Sequence, residues 1–500
     1  MITARIEVIR CGNRIRLTGC SSRYHHCCQT DLKRKTNEEV GTAEAFNPAG
    51  IKADTYFNCS PLWRYKVPKA YCDISFSEKV NIISNDYLKC CTYISKKADT
   101  KYKYTKMLYS KLISASHVLE DFLDFHGAKN NEDWYFYREL CSAVRHLSLG
   151  AYCQKHISNR LTFYDLENID TFRTEGDKTL SFLNSCLDQL APVIVDEAKR
   201  LNIRIPAESF RADDFPGITT AEMLKYDIDD ESKDVQKKNI VKIASEFLSI
   251  ASTFDHLGFY EPYDLEGMRN LVPGKLNEVE VRRFEMLVHN LQSAFDTYVI
   301  HGGFRFGDRK LKELRAYFSV VFHLLQMMGR TLHFYERHLH EAGYKDIYKR
   351  AQDQMAELIN PEQLLDRTIN FGLFYACHFL NTGKKVARVI LNENIERSTI
   401  KVGIPVKLGF HSRPSLLVAK VVQHYGGQVE MVIGKDRFDA SSVLDIQWAG
   451  GKIQKENITE VEFCGDTRAL NDLRILAGVN YGEDTMGKGV LLPGELKYLR

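Results

Sequence analysis

The chain has 500 residues, of which 44% are hydrophobic and 27% are charged, and its formal net charge at pH 7 is +3. This length predicts about three domains, and the near balance of charge argues against a protein dedicated to nucleic-acid binding. Because no uninterrupted apolar run of about 20 residues occurs, the sequence predicts no transmembrane helix.

Residues 1–95 differ from the rest of the chain in their cysteine content. They hold eight of the thirteen cysteines, including the adjacent pairs Cys27-Cys28 and Cys90-Cys91. No Cys-x-x-Cys spacing occurs among them, so the sequence predicts no metal site. We expect a poorly defined, cysteine-rich extension as far as residue 95. Cysteines spread in this way over a long chain are typical of reduced thiols in a cytoplasmic protein.

Helical periodicity dominates residues 96–397. Apolar residues recur at intervals of three and four over 96–203 and again over 234–397, which predicts a helical region followed by an antiparallel helical bundle. Two prolines and an acidic cluster in residues 204–233 predict a linker between them. The apolar stripe from Leu311 to Tyr335 is interpreted as bundle core. These regions contain neither a catalytic triad nor a phosphate-binding loop, so their sequence gives no indication of an enzyme.

A different pattern begins at residue 398. Apolar and polar residues alternate from Ile400 to Leu408, which predicts a strand, and Pro405 predicts that this strand lies at a sheet edge. The remaining pattern predicts the element order β-α-β-β-α-β-α over residues 399–480, a small α+β sandwich. Ser441 or Ser442 is expected to cap the second helix of this unit.

The segment 409–414 reads Gly-Phe-His-Ser-Arg-Pro and is the most informative feature of the chain. It lies where the first strand gives way to a helix, so His411 is expected at a helix N-terminus. Free backbone N–H groups and the positive end of the helix dipole favour an anion there. A neutral imidazole at such a site is suited to carrying a phosphoryl group, whose oxygens the backbone N–H groups of Ser412 and Arg413 would bind.

Residues 398–480 resemble the histidine-containing phosphocarrier protein HPr of the bacterial phosphotransferase system. The family motif Gly-x-His-x-Arg-Pro is intact, and Ser442 falls in register at a second family landmark, a serine that begins the second helix. The resemblance implies an HPr-like open-faced sandwich, so with the helical periodicity of the preceding residues we expect a multidomain protein in which a large, mainly α-helical, bundle-like region precedes this domain. Residues 481–500 form a tail without a counterpart in the family.

The resemblance also implies residue roles. His411 would accept the phosphoryl group through Nδ1, and Arg413 would balance charge as that group moves. Ser442 is the candidate target of a regulatory HPr kinase. Val443, Leu444 and Gln447 would belong to the hydrophobic surface on which partners dock. In this patch the sequence departs from the family pattern, chiefly at Gln447 and Trp448, which affects docking more than phosphorylation.

The implied function is that of a cytoplasmic, bacterial phosphocarrier or regulatory protein. It would accept a phosphoryl group derived from phosphoenolpyruvate on His411, from phosphorylated enzyme I, and relay or signal that state to an unidentified acceptor. Such a domain is a carrier rather than a turnover enzyme, and no cofactor is expected. The alternative is a helical scaffold whose degenerate HPr-like module binds partners without carrying phosphate.

Overall fold

The chain forms two compact units, Met1–Asp73 and Ile74–Arg500. The first contains the short antiparallel strands β1 (Ile9–Cys11) and β2 (Arg14–Arg16). The Cys27-Cys28 pair and most of the predicted cysteine-rich extension lie outside the described residues. The computed structural model describes residues 9–11, 14–16, 74–96, 103–164, 166, 169–217, 237–255, 257, 259, 261–300, 309–340 and 343–499.

The second unit begins with a large helical part. Three of its helices, Glu278–Phe295, Arg309–Phe334 and Pro361–Asp366, are extended by short π-helical segments at Asp296–Ile300, Tyr335–His340 and Arg367–Leu373. The α-helices of this part are α1 (Phe76–Ser95), α2 (Lys106–Phe125), α3 (Tyr135–Arg160), α4 (Ile169–Arg200), α5 (Lys237–Asp255), α6 (Leu265–Leu271), α7 (Glu278–Phe295), α8 (Arg309–Phe334), α9 (Asp346–Leu358), α10 (Pro361–Asp366) and α11 (Phe374–Asn394).

The helices on both sides of the predicted linker share one hydrophobic core. The regions 96–203 and 234–397 therefore pack as one body. Within the predicted linker, the described residues pack against α1: the ring of Phe215 is buried and its centroid lies 5.3 Å from that of Tyr93. No described helix combines the length and apolar character needed to cross a bilayer.

Helix α1 corrects the predicted boundary at residue 95. It starts with a capping box in which Ser75 and Glu78 satisfy each other's backbone N–H groups, and Tyr87 and Leu88 are fully buried in the helical core. Cys90 is buried in the same core, where its thiol behaves as a small apolar group. Burial raises the pKa of the Cys90 thiol to about 12. The helical unit therefore starts at Ile74, and the predicted extension ends too late.

The C-terminal part of the second unit has its own hydrophobic core. Its element order, β-α-β-β-α-β-α, is the predicted one. The elements are β3 (Arg397–Gly403), α12 (Ser412–Tyr425), β4 (Val429–Ile433), β5 (Asp436–Asp439), α13 (Val443–Glu456), β6 (Glu460–Asp466) and α14 (Thr467–Gly478). The sheet is antiparallel with the strand order β3-β6-β4-β5.

Strand β3 lies at the sheet edge, as predicted, but it is shorter than predicted. It ends at Gly403, before Pro405, which has no N–H group to donate to a ladder. The apolar residues that continue the sequence pattern, Val406 and Leu408, are 73% and 55% exposed. Their alternation therefore reflects an exposed apolar loop that leads to His411.

Residues 481–499 are an integral part of this C-terminal domain. Tyr481, Leu492 and Leu496 are buried in its core, and the Tyr481 hydroxyl donates to the backbone oxygen of Gly403 at 2.7 Å. The segment predicted as a tail therefore completes the domain.

The domain joins the helical part at the C-terminal end of α12. A Cβ on Gly426 would lie 2.7 Å from Cδ1 of Leu248 in α5, and Nη1 of Arg468 donates to Oγ of Ser245 at 3.1 Å. Because a helix of 14 residues is about 20 Å long, His411 stands well away from this junction. The N-terminal end of α12 is left for other contacts.

Candidate functional site

His411 is the N-cap residue of α12, with an extended backbone at φ −80° and ψ −170°. Its N–H donates to the backbone oxygen of Gly409 at 2.9 Å, and Gly409 adopts a left-handed φ of +61°, which glycine tolerates without steric cost. Phe410, which lies between Gly409 and His411, is buried, and its backbone oxygen accepts a hydrogen bond from Oγ of Ser415 at 3.0 Å. This turn holds the imidazole at the helix N-terminus with 28% of the side chain exposed.

A buried carboxylate, that of Glu483, faces the imidazole. Nε2 of His411 lies 3.0 Å from both oxygens of this carboxylate, of whose side chain only 2% is exposed. An ionised carboxylate can only accept a hydrogen bond, so Nε2 carries the proton. A neutral imidazole has a single N–H, and Nδ1 therefore keeps its lone pair. Among the described residues, Nε2 alone of the two ring nitrogens has a hydrogen-bond partner.

The segment that carries Glu483 is tied to the loop before His411. Oδ1 of Asn480 accepts from the N–H of Val406 at 3.0 Å, and Nζ of Lys407 donates to the backbone oxygen of Met486 at 2.8 Å. Asn480 also donates through Nδ2 to the backbone oxygen of Glu483 at 3.1 Å. Hydrogen bonds to the backbone of Glu483 and to neighbouring residues of its segment thus hold this segment in place, which fixes the carboxylate against the imidazole.

The two residues that follow the histidine supply a positive charge and backbone donors. The guanidinium of Arg413 packs on the backbone of Gly489, where a Cβ would lie 2.1 Å from Nη1. The Arg413 side chain is exposed, and no described carboxylate forms an ion pair with it. The N–H groups of Ser412 and Arg413 belong to the first helical turn, so they have no acceptor within the helix. The site can therefore receive an anion.

An exposed apolar surface lies on α13. Leu444 is 73% exposed and Trp448 is 79% exposed, and their spacing of four residues sets them on one face of the helix. Of the other predicted docking residues, Val443 and Gln447 are half-buried. Large exposed apolar side chains are typical of a surface that binds another protein.

Ser442 is the N-cap residue of α13, and its Oγ accepts from the N–H of Asp445 at 3.2 Å. The sequence left Ser441 and Ser442 as alternative caps, and the structure assigns the role to Ser442. Its neighbour Ser441 instead donates its N–H to Oδ1 of Asp439 at 2.8 Å. The hydroxyl of Ser442 therefore has a structural role, and it also lies where a helix dipole favours negative charge.

Sequence reasoning missed Glu483, whereas it had included Trp448 in the docking patch as a departure from the family pattern. Glu483 lies 72 residues from His411 in the chain, in a segment interpreted as a tail, so no local pattern indicates the pairing. The predicted residues His411, Ser412 and Arg413 are brought together, as their adjacency requires.

Comparisons with protein-family models, with curated proteins and with solved structures found no match for this chain. Function must therefore be argued from the geometry of the site. An exposed imidazole of fixed tautomer, beside an unpaired guanidinium and a helix N-terminus, can act as a nucleophile toward an electrophile that carries negative oxygens. A phosphoryl group has this chemistry.

Proposed function

We propose that the C-terminal domain is an HPr-like phosphocarrier that accepts a phosphoenolpyruvate-derived phosphoryl group on Nδ1 of His411, from phosphorylated enzyme I. The observation that carries the proposal is the contact between Nε2 of His411 and buried Glu483, which leaves Nδ1 as the nucleophile at a helix N-terminus. The intact Gly-x-His-x-Arg-Pro motif and the predicted element order support the same assignment.

In the proposed transfer, the lone pair of Nδ1 attacks phosphorus in line with the donor. The new N–P bond forms as the bond between phosphorus and the donor breaks, and the donor keeps that electron pair. The proton on Nε2 stays in place, and the charge of Glu483 offsets the positive charge that develops on the ring. Arg413 and the N–H groups of the first turn stabilise the phosphoryl oxygens.

The surroundings favour a role in signalling to a separate partner. The helical part contacts the far end of α12, so the phosphoryl group on His411 would be exposed to a docking protein rather than to the helices of the same chain. Leu444 and Trp448 supply an apolar surface for such a partner. Phosphorylation of Ser442 by an HPr kinase would place negative charge at the start of α13, next to this surface, and so alter docking.

The direct test is phosphoryl transfer to the full-length protein from phosphoenolpyruvate, magnesium and a bacterial enzyme I. We expect acid-labile label in the native protein and none in His411→Ala. Because this variant also leaves the buried Glu483 carboxylate without its partner, circular dichroism must show that it is folded under the labelling conditions. His424→Ala is a matched control, since it removes another imidazole from α12 and should leave labelling intact. Absence of label with the cognate enzyme I would favour a scaffold with a binding module that carries no phosphate.

Glu483→Gln should slow phosphorylation roughly tenfold or more, because a glutamine can also donate to Nε2 and so place the proton on Nδ1. Nitrogen NMR of the imidazole should show a single tautomer in the native protein and a mixture in the variant. Glu495→Gln removes an exposed carboxylate of the same segment and should change neither property. An unaltered rate and tautomer in Glu483→Gln would show that Glu483 does not orient His411.

A further inference from the structure

The helical part contains a cavity of about 550 Å³, far from His411 in the chain, which we call the arginine-histidine pocket. Its volume is in the range of small-molecule sites. Three carboxylates line it, and six cationic side chains outnumber them. The cationic residues are Lys129, Arg138, Arg145, Arg282, Arg330 and Arg337.

Several of these cations already have carboxylate partners. Arg138 bonds to Asp124, Glu120 and Glu139, and Arg145 donates to Glu120 at 2.9 Å. These pairs use up the carboxylates of the pocket, so their net contribution to its charge is small. The positive excess must come from cations that are not paired in this way.

Arg330 is such a cation. It is half-buried, and it makes no ion pair or hydrogen bond with the described residues. Burial lowers the pKa of Arg330, and the positive charges of Arg282 and Arg145 lower it further, against the opposite effect of Glu285. An anion bound beside this guanidinium would relieve the repulsion and replace the lost hydration.

His146 is a second unsatisfied group in the pocket wall. It is 3% exposed, and its buried Nδ1 has no hydrogen-bond partner among the described residues. Its ring stacks on that of His333, with centroids 4.2 Å apart. Buried polar atoms are nearly always satisfied in folded proteins, so His146 leaves a hydrogen-bonding site unused beside the pocket.

The other imidazoles of the pocket already have hydrogen-bond partners, which argues against a metal site. Both nitrogens of His338 are engaged, Nδ1 with Glu139 and Nε2 with Ser142, and Nδ1 of His333 contacts Glu278 at 2.8 Å. No group of three potential metal ligands is found within the described ranges. A cation would also meet the charge of the surrounding arginines, so the pocket is built for an anion.

We propose that the arginine-histidine pocket binds a small phosphorylated organic molecule, with its phosphate held by Arg330. Arg282 of α7 already pairs with Glu278 and Arg145 of α3 with Glu120, whereas the guanidinium of Arg330 on α8 has several donors that can bond to the oxygens of a tetrahedral phosphate. The cavity is much larger than a phosphate. The rings of Tyr135 and Tyr348, with centroids 4.7 Å apart, supply contact for the organic part.

Calorimetric titration of the full-length protein with glucose 6-phosphate, adenosine 5′-monophosphate, pyrophosphate and citrate, at constant ionic strength, tests the proposal. We expect glucose 6-phosphate or adenosine 5′-monophosphate to bind with one-to-one stoichiometry, and to raise Tm by a few degrees at saturating concentration. Binding of neither, or tighter binding of pyrophosphate or citrate than of both, would overturn it.

Arg330→Met separates a ligand-binding role from a structural one. It keeps the apolar stem but removes a cation that repels its neighbours, so the Tm without ligand should stay equal or rise. Affinity for the phosphorylated compound should fall about tenfold to a hundredfold. Arg173→Met, on the exposed surface of α4, should bind as the native protein does. Lower Tm with unchanged affinity in Arg330→Met would contradict the assignment.

This test is independent of phosphoryl transfer. His411→Ala should bind the same compound with unchanged affinity, because every residue that lines the pocket belongs to the helical part. A labelled His411 without a ligand in the pocket, or the converse, would separate the two proposals.

Discussion

Arg138→Ala should lower the free energy of unfolding by about 3–5 kcal/mol, as the loss of one partner from a buried ion-pair network does. The guanidinium donates to Asp124 through Nε at 2.8 Å and Nη2 at 3.0 Å, to Glu120 through Nη2 at 2.9 Å and to Glu139 through Nη1 at 3.0 Å. Glu120 is 4% exposed and Glu139 is 6% exposed. Alanine would leave buried negative charges without their shared cation.

The pKa of Glu139 shows how much this network depends on its cations. Burial acts to raise that pKa, but the contacts with His338 and Arg138 outweigh burial and lower it. Without Arg138 the balance shifts toward burial, so the Glu139 pKa should rise. The variant should therefore lose less stability at low pH, where the carboxylates are protonated, than at neutral pH.

Urea denaturation at pH 7 measures the effect. Arg138→Lys keeps the charge but not the planar fork, so it should fall between alanine and the native protein. The exposed pair of Arg173 and Asp170 provides the control, since Arg173→Ala should change stability by less than about 1 kcal/mol. A loss of that small size in Arg138→Ala would show that the network is solvated.

Local patterns in the sequence were sufficient for the order of the C-terminal elements. Alternation and helical periodicity depend on near neighbours, and capping depends on the residues at a helix start, so the cap of α13 could be narrowed to Ser441 or Ser442, of which Ser442 is the N-cap residue. The end of β3 was wrong because the alternation continues beyond Pro405. Periodicity reports which side chains are apolar, and it does not report where the backbone stops pairing.

Contacts between distant segments could not be predicted from the sequence. Nothing near Glu483 indicates that its carboxylate meets His411, and nothing near Arg330 indicates that its neighbours in the helical core are also cations. Cysteine content gave a wrong boundary for the extension for a similar reason. A cysteine such as Cys90 contributes equally to the composition of a segment whether it lies in an extension or is buried in the helical core. These features depend on tertiary packing, which sequence periodicity does not encode.

Gly465→Ala should destabilise the C-terminal domain by about 3 kcal/mol or more. Gly465 lies in β6, with Ser398 of β3 on one side and Val429 of β4 on the other. Its φ is +154°, and a Cβ would lie 2.2 Å from the backbone oxygen of Gln428 and 2.7 Å from Cα of Val429. Both obstacles are backbone atoms, so relief would require moving β4 away from the central strand.

Gly451→Ala is the matched control for this substitution. Gly451 lies on the exposed face of α13, and no atom lies within 4 Å of the position of its Cβ. Since alanine favours a helix over glycine by up to about 1 kcal/mol, this variant should be slightly more stable. Urea denaturation monitored by circular dichroism measures both variants. A lower midpoint for Gly465→Ala and a higher midpoint for Gly451→Ala would confirm the close approach of β6 and β4. Because that approach also positions the start of α14, from which residues 481–499 lead to His411, Gly465→Ala should reduce phosphoryl transfer as well, whereas Gly451→Ala should not.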